Sequence, residues 1–460
     1  MSCVFTLAQA LSILDAIALN LSPQRRLQQA VGVNTDTRTL KPGEVFLALR
    51  GTQFDGHQFV GSALEKGAIA AIVDSRYHPP SEDWPLLVVP DTLQAYQAIA
   101  HWWRAQFDIP IIAVTGSVGK TTTKELIAAV LGTQGPVLKT QLNYNNEIGV
   151  PKTLLSLSSH HDYAVIEMAM RGPGEIALLA EIASPTIGVI TNVGTAHIER
   201  LGSEAAIARA KCELLDKMPP ASHAVLNFDN PLLLKTAATV WTGKSLTYGL
   251  KGGDLQGELI DTERLTVEGM TFPLPLPGAH NALNYLGALA VAKLLGVSWE
   301  PLTHGLSVEL PEGRARRYLL GNDIVILDET YNAGLESMTA ALQLLSQTPG
   351  DRHIAVLGTM KELGARSLEF HQQVGAIAKE LNLDGLFIFA DPPEAEAMAL
   401  GAAGLPLVEV SDIATPTARE KLAQRLQEFV RPGDRILFKA SHSVQLDKVV
   451  QQFRQGNSSL

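Results

Sequence analysis

A glycine-containing loop that runs into lysine and threonine has the residue types of a phosphate-binding site. It consists of Gly116, Ser117, Val118, Gly119, Lys120, Thr121 and Thr122. An apolar run at 111–115 precedes it and a helical pattern follows through 126–131, which predicts strand, tight loop and helix. Glycines let the backbone approach an anion, and the free N–H groups at the helix start attract it. Lys120 could then reach terminal phosphates, and the Thr121 hydroxyl could hold Mg²⁺.

The loop departs from the common P-loop pattern, which places a further glycine where Val114 stands. The alternative is therefore a turn between strand and helix that binds nothing. The strand before the loop, the helix after it and the run of threonines together favour phosphate binding.

Two side chains that suit a divalent cation lie near the ends of predicted strands. Glu167 lies near the end of the run at 163–168, and His197 follows the run at 187–193. In open α/β sheets ligands bind at the carboxyl ends of the strands, so we expect both side chains near the phosphate loop. Both residue types can hold a metal. The alternatives are a salt-bridged or helix-capping acid and a core histidine.

Lys211 lies on the apolar side of a predicted helix that begins after Ser203 and ends near Met218. Ile207, Lys211 and Leu215 are spaced at i, i+4 and i+8, so they share one face. A lysine there must extend its ammonium to solvent, pair with an acid or be chemically altered. The pattern alone favours the first of these interpretations.

Composition narrows the function classes. With 460 residues, 46% hydrophobic and 18% charged, the chain should form roughly two to four ordinary domains. A net charge of −10 argues against nonspecific nucleic-acid binding. Two distant cysteines, Cys3 and Cys212, suggest a reducing compartment, and we expect a cytoplasmic location. No signal peptide and no run of about 18 apolar residues are evident, so no membrane insertion is expected.

Alternating strand and helix patterns predict an α/β fold with three domains. Residues 1–108 should form a small α/β domain, residues 109–312 a central P-loop-type ATPase domain with a mostly parallel sheet, and residues 313–460 a Rossmann-like, doubly wound domain. No dinucleotide fingerprint is present, so NAD is not implied. His280 and Asn281 begin a long predicted helix, where they could read a base edge or simply cap the helix.

Taken together, the motifs resemble the Mur ligase family, ATP-dependent amide-forming enzymes of bacterial peptidoglycan precursor synthesis. The resemblance covers nearly the whole chain. The segments that fit the family are 115–122, 143–151, 167–170, 192–197, 277–284 and 313–314. Segments 123–125, 331–333 and 360–364 favour the member that joins D-alanyl-D-alanine to UDP-N-acetylmuramoyl-tripeptide. The chain departs from that pattern at Glu329, at 334–335 and at 440–442, and the last two departures lie where the amine is expected.

The resemblance implies a mechanism and a set of roles. ATP would phosphorylate the substrate carboxylate, and the amine would attack the acyl phosphate. Lys120 would neutralise the transferring phosphoryl group. Thr121 and Glu167 would hold one Mg²⁺, and His197 would hold a second. Lys211 would be carbamylated, and the carbamate would give it a negatively charged, acidic group that faces the second metal.

The resemblance also implies the contacts to ATP and to the substrates. Asn281 would contact adenine, while Arg314 and Asp328 would bind the nucleotide from the far side of a closing cleft. The implied substrate-binding residues are Thr35, Arg38, His57, Asn145, Asn146, Tyr331 and Asn332. From the residues alone, the favoured interpretation of Arg38 and His57 is ordinary exposed polar positions. We expect a monomer.

Two other functions remain as alternatives. A ligase similar to folylpolyglutamate synthase would share the loop and the mechanism, but the pattern at 35–59 counts against it. A nucleotide-binding regulatory protein without catalysis is the second alternative. Intact Lys120, Glu167, His197 and Lys211 count against that function.

Overall fold

Apolar, β-branched runs form the strands of four sheets in the computed structural model, which describes residues 3–51, 54–411 and 413–457. The three-domain α/β architecture with mostly parallel sheets confirms the predicted fold class. The strands of the three domains lie within 5–89, 111–273 and 316–439. The domain boundaries at 108/109 and 312/313 stay a prediction.

The N-terminal domain contains a five-stranded sheet of order β2-β7-β6-β5-β4, in which β4 to β7 are parallel, and a small antiparallel pair, β1 with β3. Its elements are β1 (Phe5–Thr6), α1 (Leu7–Leu14), β2 (Ile17–Leu19), α2 (Pro23–Arg26), β3 (Gln29–Ala30), β4 (Val33–Asn34), β5 (Val45–Leu47), α3 (Val60–Glu65), β6 (Ala70–Asp74), β7 (Leu86–Val89) and α4 (Thr92–Arg104). Helix α1 ends at Leu14, because Asp15 adopts a left-handed φ of 47°. Residues 1 and 2 lie outside the described residues.

The central domain has a nine-stranded sheet of order β16-β15-β14-β13-β12-β11-β8-β10-β9. Its elements are β8 (Ile111–Thr115), α5 (Lys120–Leu131), β9 (Val137–Lys139), α6 (Gly149–Leu154), β10 (Tyr163–Glu167), α7 (Glu175–Ala183), β11 (Ile187–Ile190), α8 (Ile198–Leu201), α9 (Glu204–Lys217), β12 (His223–Asn227), α10 (Pro231–Val240), β13 (Lys244–Gly249), β14 (Leu255–Asp261), β15 (Arg264–Val267), β16 (Met270–Pro273) and α11 (Ala279–Leu294). Strands β8 to β14 are parallel, and β15 and β16 extend the sheet antiparallel.

Strand β8 positions the site. All five of its residues are buried, as expected for a parallel strand covered on both faces. It pairs with β10 on one side and β11 on the other. The carboxyl ends of the three strands therefore bring together the phosphate loop, Glu167 and the segment that leads to His197.

The C-terminal domain has a six-stranded sheet of order β17-β18-β22-β19-β20-β21, parallel except for β17. Its elements are β17 (Arg316–Leu320), β18 (Ile324–Glu329), α12 (Leu335–Gln347), β19 (Arg352–Gly358), α13 (Ser367–Glu380), β20 (Gly385–Phe389), α14 (Pro392–Gly401), β21 (Val408–Val410), α15 (Ala418–Phe429), β22 (Asp434–Lys439) and α16 (Leu446–Asn457). Strand β17 was not predicted, because an edge strand with partly exposed residues lacks the continuous apolar run of a buried strand.

Helix α4 joins the N-terminal domain to the central domain. The Arg104 guanidinium donates to the carbonyls of Ala183 (2.8 Å) and Ser184 (3.0 Å). The Trp103 indole donates to the Leu157 carbonyl at 3.1 Å. Within residues 3–51, 54–411 and 413–457, the helices lack the combination of length and apolar character needed to cross a bilayer.

Replacing Leu289 tests the packing that supports the phosphate loop. Leu289 is fully buried in α11, which packs against α5, the helix that begins at the loop. Leu289→Ala should cost about 2–5 kcal/mol of unfolding free energy, because it leaves a cavity. Leu400→Ala is the matched control, since Leu400 is 65% exposed, and should change stability by only about 0.5 kcal/mol or less. Equal thermal midpoints for the two variants would contradict this packing.

Candidate active site

A cavity of about 420 Å³ lies between the central and C-terminal domains, at the carboxyl ends of β8, β10 and β11. The central domain contributes the phosphate loop, Glu167 and His197 to its lining. The C-terminal domain contributes Arg314, Tyr331 and Lys439. The cavity thus combines cationic, anionic and hydrogen-bonding groups from two domains.

The phosphate loop requires both of its glycines. Gly119 caps α5 with a left-handed φ of 81°, and a Cβ there would lie 2.5 Å from Asn284 Oδ1. A Cβ on Gly116 would lie 1.9 Å from Thr191 Oγ1. The backbone therefore turns closely against its neighbours and directs the N-terminus of a twelve-residue helix into the cavity.

The segment after β11 holds the loop in place. Asn192 accepts a hydrogen bond from Val118 N at 3.0 Å and donates to Val118 O at 3.1 Å. Thr191 Oγ1 also donates to Val118 O, at 2.6 Å, and Gly194 N donates to Ser117 Oγ at 2.9 Å. Thr191 and Asn192 were not predicted as site residues. Two polar residues at the end of a buried strand beside the loop would have indicated them.

Lys120 lies along its own loop. Its ammonium donates to the carbonyls of Gly116 (2.7 Å) and Ser117 (3.2 Å). Burial lowers the pKa of Lys120, Arg314 lowers it further, and Glu167 opposes both. A phosphate at the helix N-terminus would bring a negative charge to this ammonium.

Only one of the two carboxylate oxygens of Glu167 accepts a hydrogen bond among the described residues. Oε1 accepts from Asn145 Nδ2 at 2.7 Å, whereas Oε2 is buried without a hydrogen-bond partner. Thr121, also buried, lies in the first turn of α5 and lines the same cavity. A carboxylate oxygen and a hydroxyl next to a phosphate loop are donors that Mg²⁺ takes together with phosphate oxygens and water. In the part of the chain described, no three His, Cys, Asp or Glu residues form a metal-binding group.

His197 and Lys211 lie close to Lys120. His197 adopts a left-handed φ of 65° before α8, and its Nδ1 lies 2.6 Å from Glu362 Oε2 of the C-terminal domain. Burial lowers the pKa of His197, while Glu362 opposes this shift. Lys211 is only 1% exposed, so the interpretation that it extends to solvent is wrong. Burial, and then the charge of Lys120, lower the pKa of Lys211 well below its usual value.

The expected nucleotide residues do not all line this cavity. Asn281 does, with its Nδ2 donating to Pro277 O at 2.9 Å. Arg314 does as well, with its guanidinium 3.8 Å from the centre of the Tyr331 ring. Asp328 instead borders a smaller neighbouring hollow that also includes Asn281. Burial raises the pKa of Asp328, although hydrogen bonds from Thr330 oppose the shift.

The expected substrate residues fall into two groups. Asn145, Tyr331 and Asn332 line the cavity. Thr35, Arg38 and His57 belong to the N-terminal domain and do not line it, and Asn146 accepts from Gly149 N at 2.9 Å at the start of α6. The roles of all these residues stay predictions.

The expected substrate residues Arg38 and His57 contact acidic residues of the N-terminal domain. Arg38 is exposed and pairs with Asp36 at 2.7 Å. The pKa of Asp36 falls to about 2, mainly through its hydrogen bonds with Arg38, and Lys152 of α6 also contributes. His57 is buried, with Nδ1 2.7 Å from Asp55 Oδ1 and Nε2 accepting from Asp74 N at 3.0 Å.

Two C-terminal residues in the cavity wall were not anticipated. Lys439, at the end of β22, donates to Glu329 Oε2 at 3.4 Å and to Asn332 O at 3.1 Å. Glu336, in the first turn of α12, accepts from Thr195 N at 2.6 Å and from Thr195 Oγ1 at 3.1 Å. The Glu336 contacts bridge the two domains, so no local pattern in the sequence could have indicated them.

Comparison with known proteins decides the family. Three family models match: Mur ligase family, catalytic domain, at 29–104; Mur ligase middle domain at 114–292; and Mur ligase, glutamate ligase domain, at 313–442. The chain is 58% identical over 433 residues to the UDP-N-acetylmuramoyl-tripeptide–D-alanyl-D-alanine ligase of Synechocystis sp., covering 94% of this chain and 93% of that protein. This chain belongs to the Mur ligase family.

Solved structures of the Mur ligase family agree with this assignment. The chain matches MurF from Acinetobacter baumannii with a TM-score of 0.87 and 30% identity over 99% of both chains. It matches the MurF ligase of Thermotoga maritima, solved in complex with ADP, with a TM-score of 0.82 and 32% identity over 93% of this chain and 98% of the other. The three-domain arrangement is therefore that of a Mur ligase.

Removing the Glu336 carboxylate tests the contact between the two domains. Glu336→Ala deletes both acceptors for Thr195, so amide hydrogen exchange in the segment before His197 should accelerate. Glu380→Ala, at an exposed position in α13 of the same domain, is the matched control. Equal exchange in both variants would show that Glu336 does not hold this segment.

Proposed function

We propose that the protein is an ATP-dependent, ADP-forming ligase that joins D-alanyl-D-alanine to UDP-N-acetylmuramoyl-tripeptide through an acyl phosphate, in peptidoglycan precursor synthesis. The observation that carries the proposal is the 58% identity over 94% of the chain to a ligase named for this reaction. The cavity supports it, because the phosphate loop, an uncommitted carboxylate oxygen and groups from a second domain converge there.

The phosphate loop binds the nucleotide phosphates. Backbone N–H groups at the start of α5 and the Lys120 ammonium face the transferring phosphoryl group, whose transfer depends mainly on positioning and charge neutralisation. The ADP complex of the Thermotoga maritima relative supports the binding of an adenine nucleotide. Arg314 approaches from the C-terminal domain, stacked on Tyr331, and Asn281 contributes from the start of α11.

Mg²⁺ is the metal that the donors fit. When bound, it would neutralise charge that develops on the phosphate oxygens. Thr121 Oγ1 and Glu167 Oε2 are the oxygen donors of the chain for it, with Asn145 fixing the other oxygen of Glu167. His197 is the donor for a second ion, once its ring is released from Glu362.

Lys211 carries the further acidic group as a carbamate. The ammonium first loses a proton; the neutral amine then adds to CO₂, so that an N–C bond forms, one C–O π bond opens and a second proton is released. A buried cation thereby becomes an anion. Full burial supports this reaction, because it favours the neutral amine and lowers the pKa. Lys120, whose positive charge acts on Lys211, would face a negative group after the reaction.

The substrates then approach the cavity from the N-terminal and C-terminal domains. The nucleotide sugar lies against residues 1–108, near Thr35, Arg38 and His57, and its peptide reaches the phosphate loop past Asn145 and Asn146. The amine lies in residues 313–460, near Tyr331 and Asn332. We propose 1–108, 109–312 and 313–460 as the domain boundaries, a monomeric state and a cytoplasmic location. The net charge of −10 supports the expectation of no nucleic-acid partner.

Product analysis tests the function. The purified protein is incubated with ATP, Mg²⁺, UDP-N-acetylmuramoyl-tripeptide and a set of amines that includes D-alanyl-D-alanine, D-glutamate and meso-diaminopimelate. We expect ADP, phosphate and a pentapeptide product by mass, formed with D-alanyl-D-alanine only. Ligation of a different amine would overturn the dipeptide assignment, and ATP hydrolysis without ligation would overturn the ligase.

Lys120→Ala tests the phosphate loop. The variant should lose ATP turnover by about 10²-fold or more, because it lacks the charge that stabilises the transferring phosphoryl group. Lys421→Ala, at an exposed position in α15, is the matched control and should retain turnover. Near-normal turnover in Lys120→Ala, measured as phosphate release, would show that the loop does not act on ATP.

Lys211→Ala tests the carbamate. The variant should be nearly inactive, and acetate should partly restore activity because its carboxylate can replace that of the carbamate. Removal of CO₂ should lower the activity of the unmodified enzyme, and bicarbonate should restore it. A mild loss of activity that acetate does not reverse would contradict the modification.

A further inference from the structure

Four side chains of alternating charge lead from the protein surface to Glu167, and we call them the charge row: Lys139, Glu125, Lys124 and Glu167. Lys139 Nζ pairs with Glu125 Oε2. Glu125 Oε1 lies 2.9 Å from Lys124 Nζ, which lies 3.8 Å from Glu167 Oε2. Lys124 and Glu125 belong to α5, the helix that begins at the phosphate loop.

Burial makes the three inner charges of the row, Glu125, Lys124 and Glu167, depend on one another. The side chain of Lys124 is 1% exposed, those of Glu125 and Glu167 are 6% and 3% exposed, and only Lys139 is substantially exposed, at 34%. A buried charge without a partner strongly destabilises a protein, whereas these four charges sum to zero. Glu125 therefore compensates Lys124, and Lys139 compensates Glu125 from the outside.

Lys124 is placed to orient Glu167 without blocking it. Its ammonium donates to Thr140 O at 2.8 Å, and Thr140 Oγ1 accepts from Glu167 N at 2.9 Å, so one residue ties both together. At 3.8 Å the ammonium attracts Oε2 but is too distant for a hydrogen bond. Asn145 holds Oε1 at the same time. Asn145 thus fixes Oε1 by a hydrogen bond, while the Lys124 ammonium attracts Oε2, which remains without a hydrogen-bond partner.

We propose that Lys124, with Glu125 as its counter-ion, is a positioning residue that holds Glu167 for the cation of the nucleotide complex. The proposal rests on the proposed role of Glu167 toward Mg²⁺. Lys124 does not line the cavity, so it acts through Glu167 and not on the nucleotide itself. Groups that orient a metal ligand in this way typically affect metal affinity about 10–100-fold.

A purely structural role is the alternative. In that case Lys124 serves only to neutralise Glu125 inside the helix packing. Removing both charges at once, in Lys124→Met/Glu125→Gln, would then restore wild-type metal binding. If Lys124 orients Glu167, the double variant is balanced in charge but still lacks the orienting group. If Lys124→Met alone does not fold, the double variant can be used for the measurement in its place.

Mn²⁺ is the probe, because electron paramagnetic resonance measures its free concentration. Binding of Mn²⁺ is titrated to the complex of the full-length protein with ADP, and ADP affinity is measured separately without metal. Lys124→Met and the double variant should bind Mn²⁺ about 10–100-fold more weakly, with unchanged metal-free ADP affinity. Lys139→Met is the matched control, since Lys139 pairs with Glu125 but not with Glu167, and it should bind Mn²⁺ like the wild type.

Glu167→Gln separates this inference from the proposed function. If Glu167→Gln loses Mn²⁺ affinity while the double variant retains it, Lys124 only neutralises Glu125 and the inference is overturned alone. If Glu167→Gln itself binds Mn²⁺ like the wild type, the metal role of Glu167 in the proposed function fails, and the inference fails with it. Weaker Mn²⁺ binding in both Glu167→Gln and the double variant supports both.

Discussion

The structure depends on three lysine side chains that lie in or near the phosphate loop, largely shielded from solvent. Lys124 and Lys211 are buried, and Lys120 lies along the phosphate loop with a lowered pKa. The surroundings of these three lysines differ. Lys124 has Glu125 beside it and Lys120 has the loop carbonyls, whereas burial and the charge of Lys120 lower the pKa of Lys211. That difference is why Lys211 is the lysine whose chemical modification makes physical sense.

The parallel sheet is what concentrates these charges. Pairing of β8 with β10 and β11 brings three strand ends to one edge, so residues far apart in the sequence converge without long loops. The C-terminal domain then completes the cavity wall. Glu336 and Glu362 contact Thr195 and His197 of the central domain, close to the phosphate loop. The short segment from Thr195 to His197 therefore contributes His197 to the cavity lining and also makes contacts with the C-terminal domain.

Local features of the site could be predicted from the sequence, and features that depend on distant contacts could not. The loop before α5 was predictable because strand, glycines and helix are contiguous. The spacing of Lys211 with Ile207 and Leu215 predicted its apolar face but not its complete burial, which depends on how α9 packs. Glu336 gave no local signal, because its contacts depend on how the C-terminal domain packs against the central domain. Lys124 comes close to Glu167 only when β9 and β10 pair beside α5, so the charge row could not be predicted from the sequence.

The central claim is that one carboxylate oxygen of the tripeptide attacks the terminal phosphorus of ATP before the amide forms. The most direct measurement uses tripeptide whose reacting carboxylate carries the heavy oxygen isotope, followed by mass analysis of the released phosphate. The account predicts one labelled oxygen in each phosphate, because the oxygen that bonds to phosphorus leaves with it when the amine displaces the acyl phosphate. Phosphate without the label, released together with the amide product, would contradict the account.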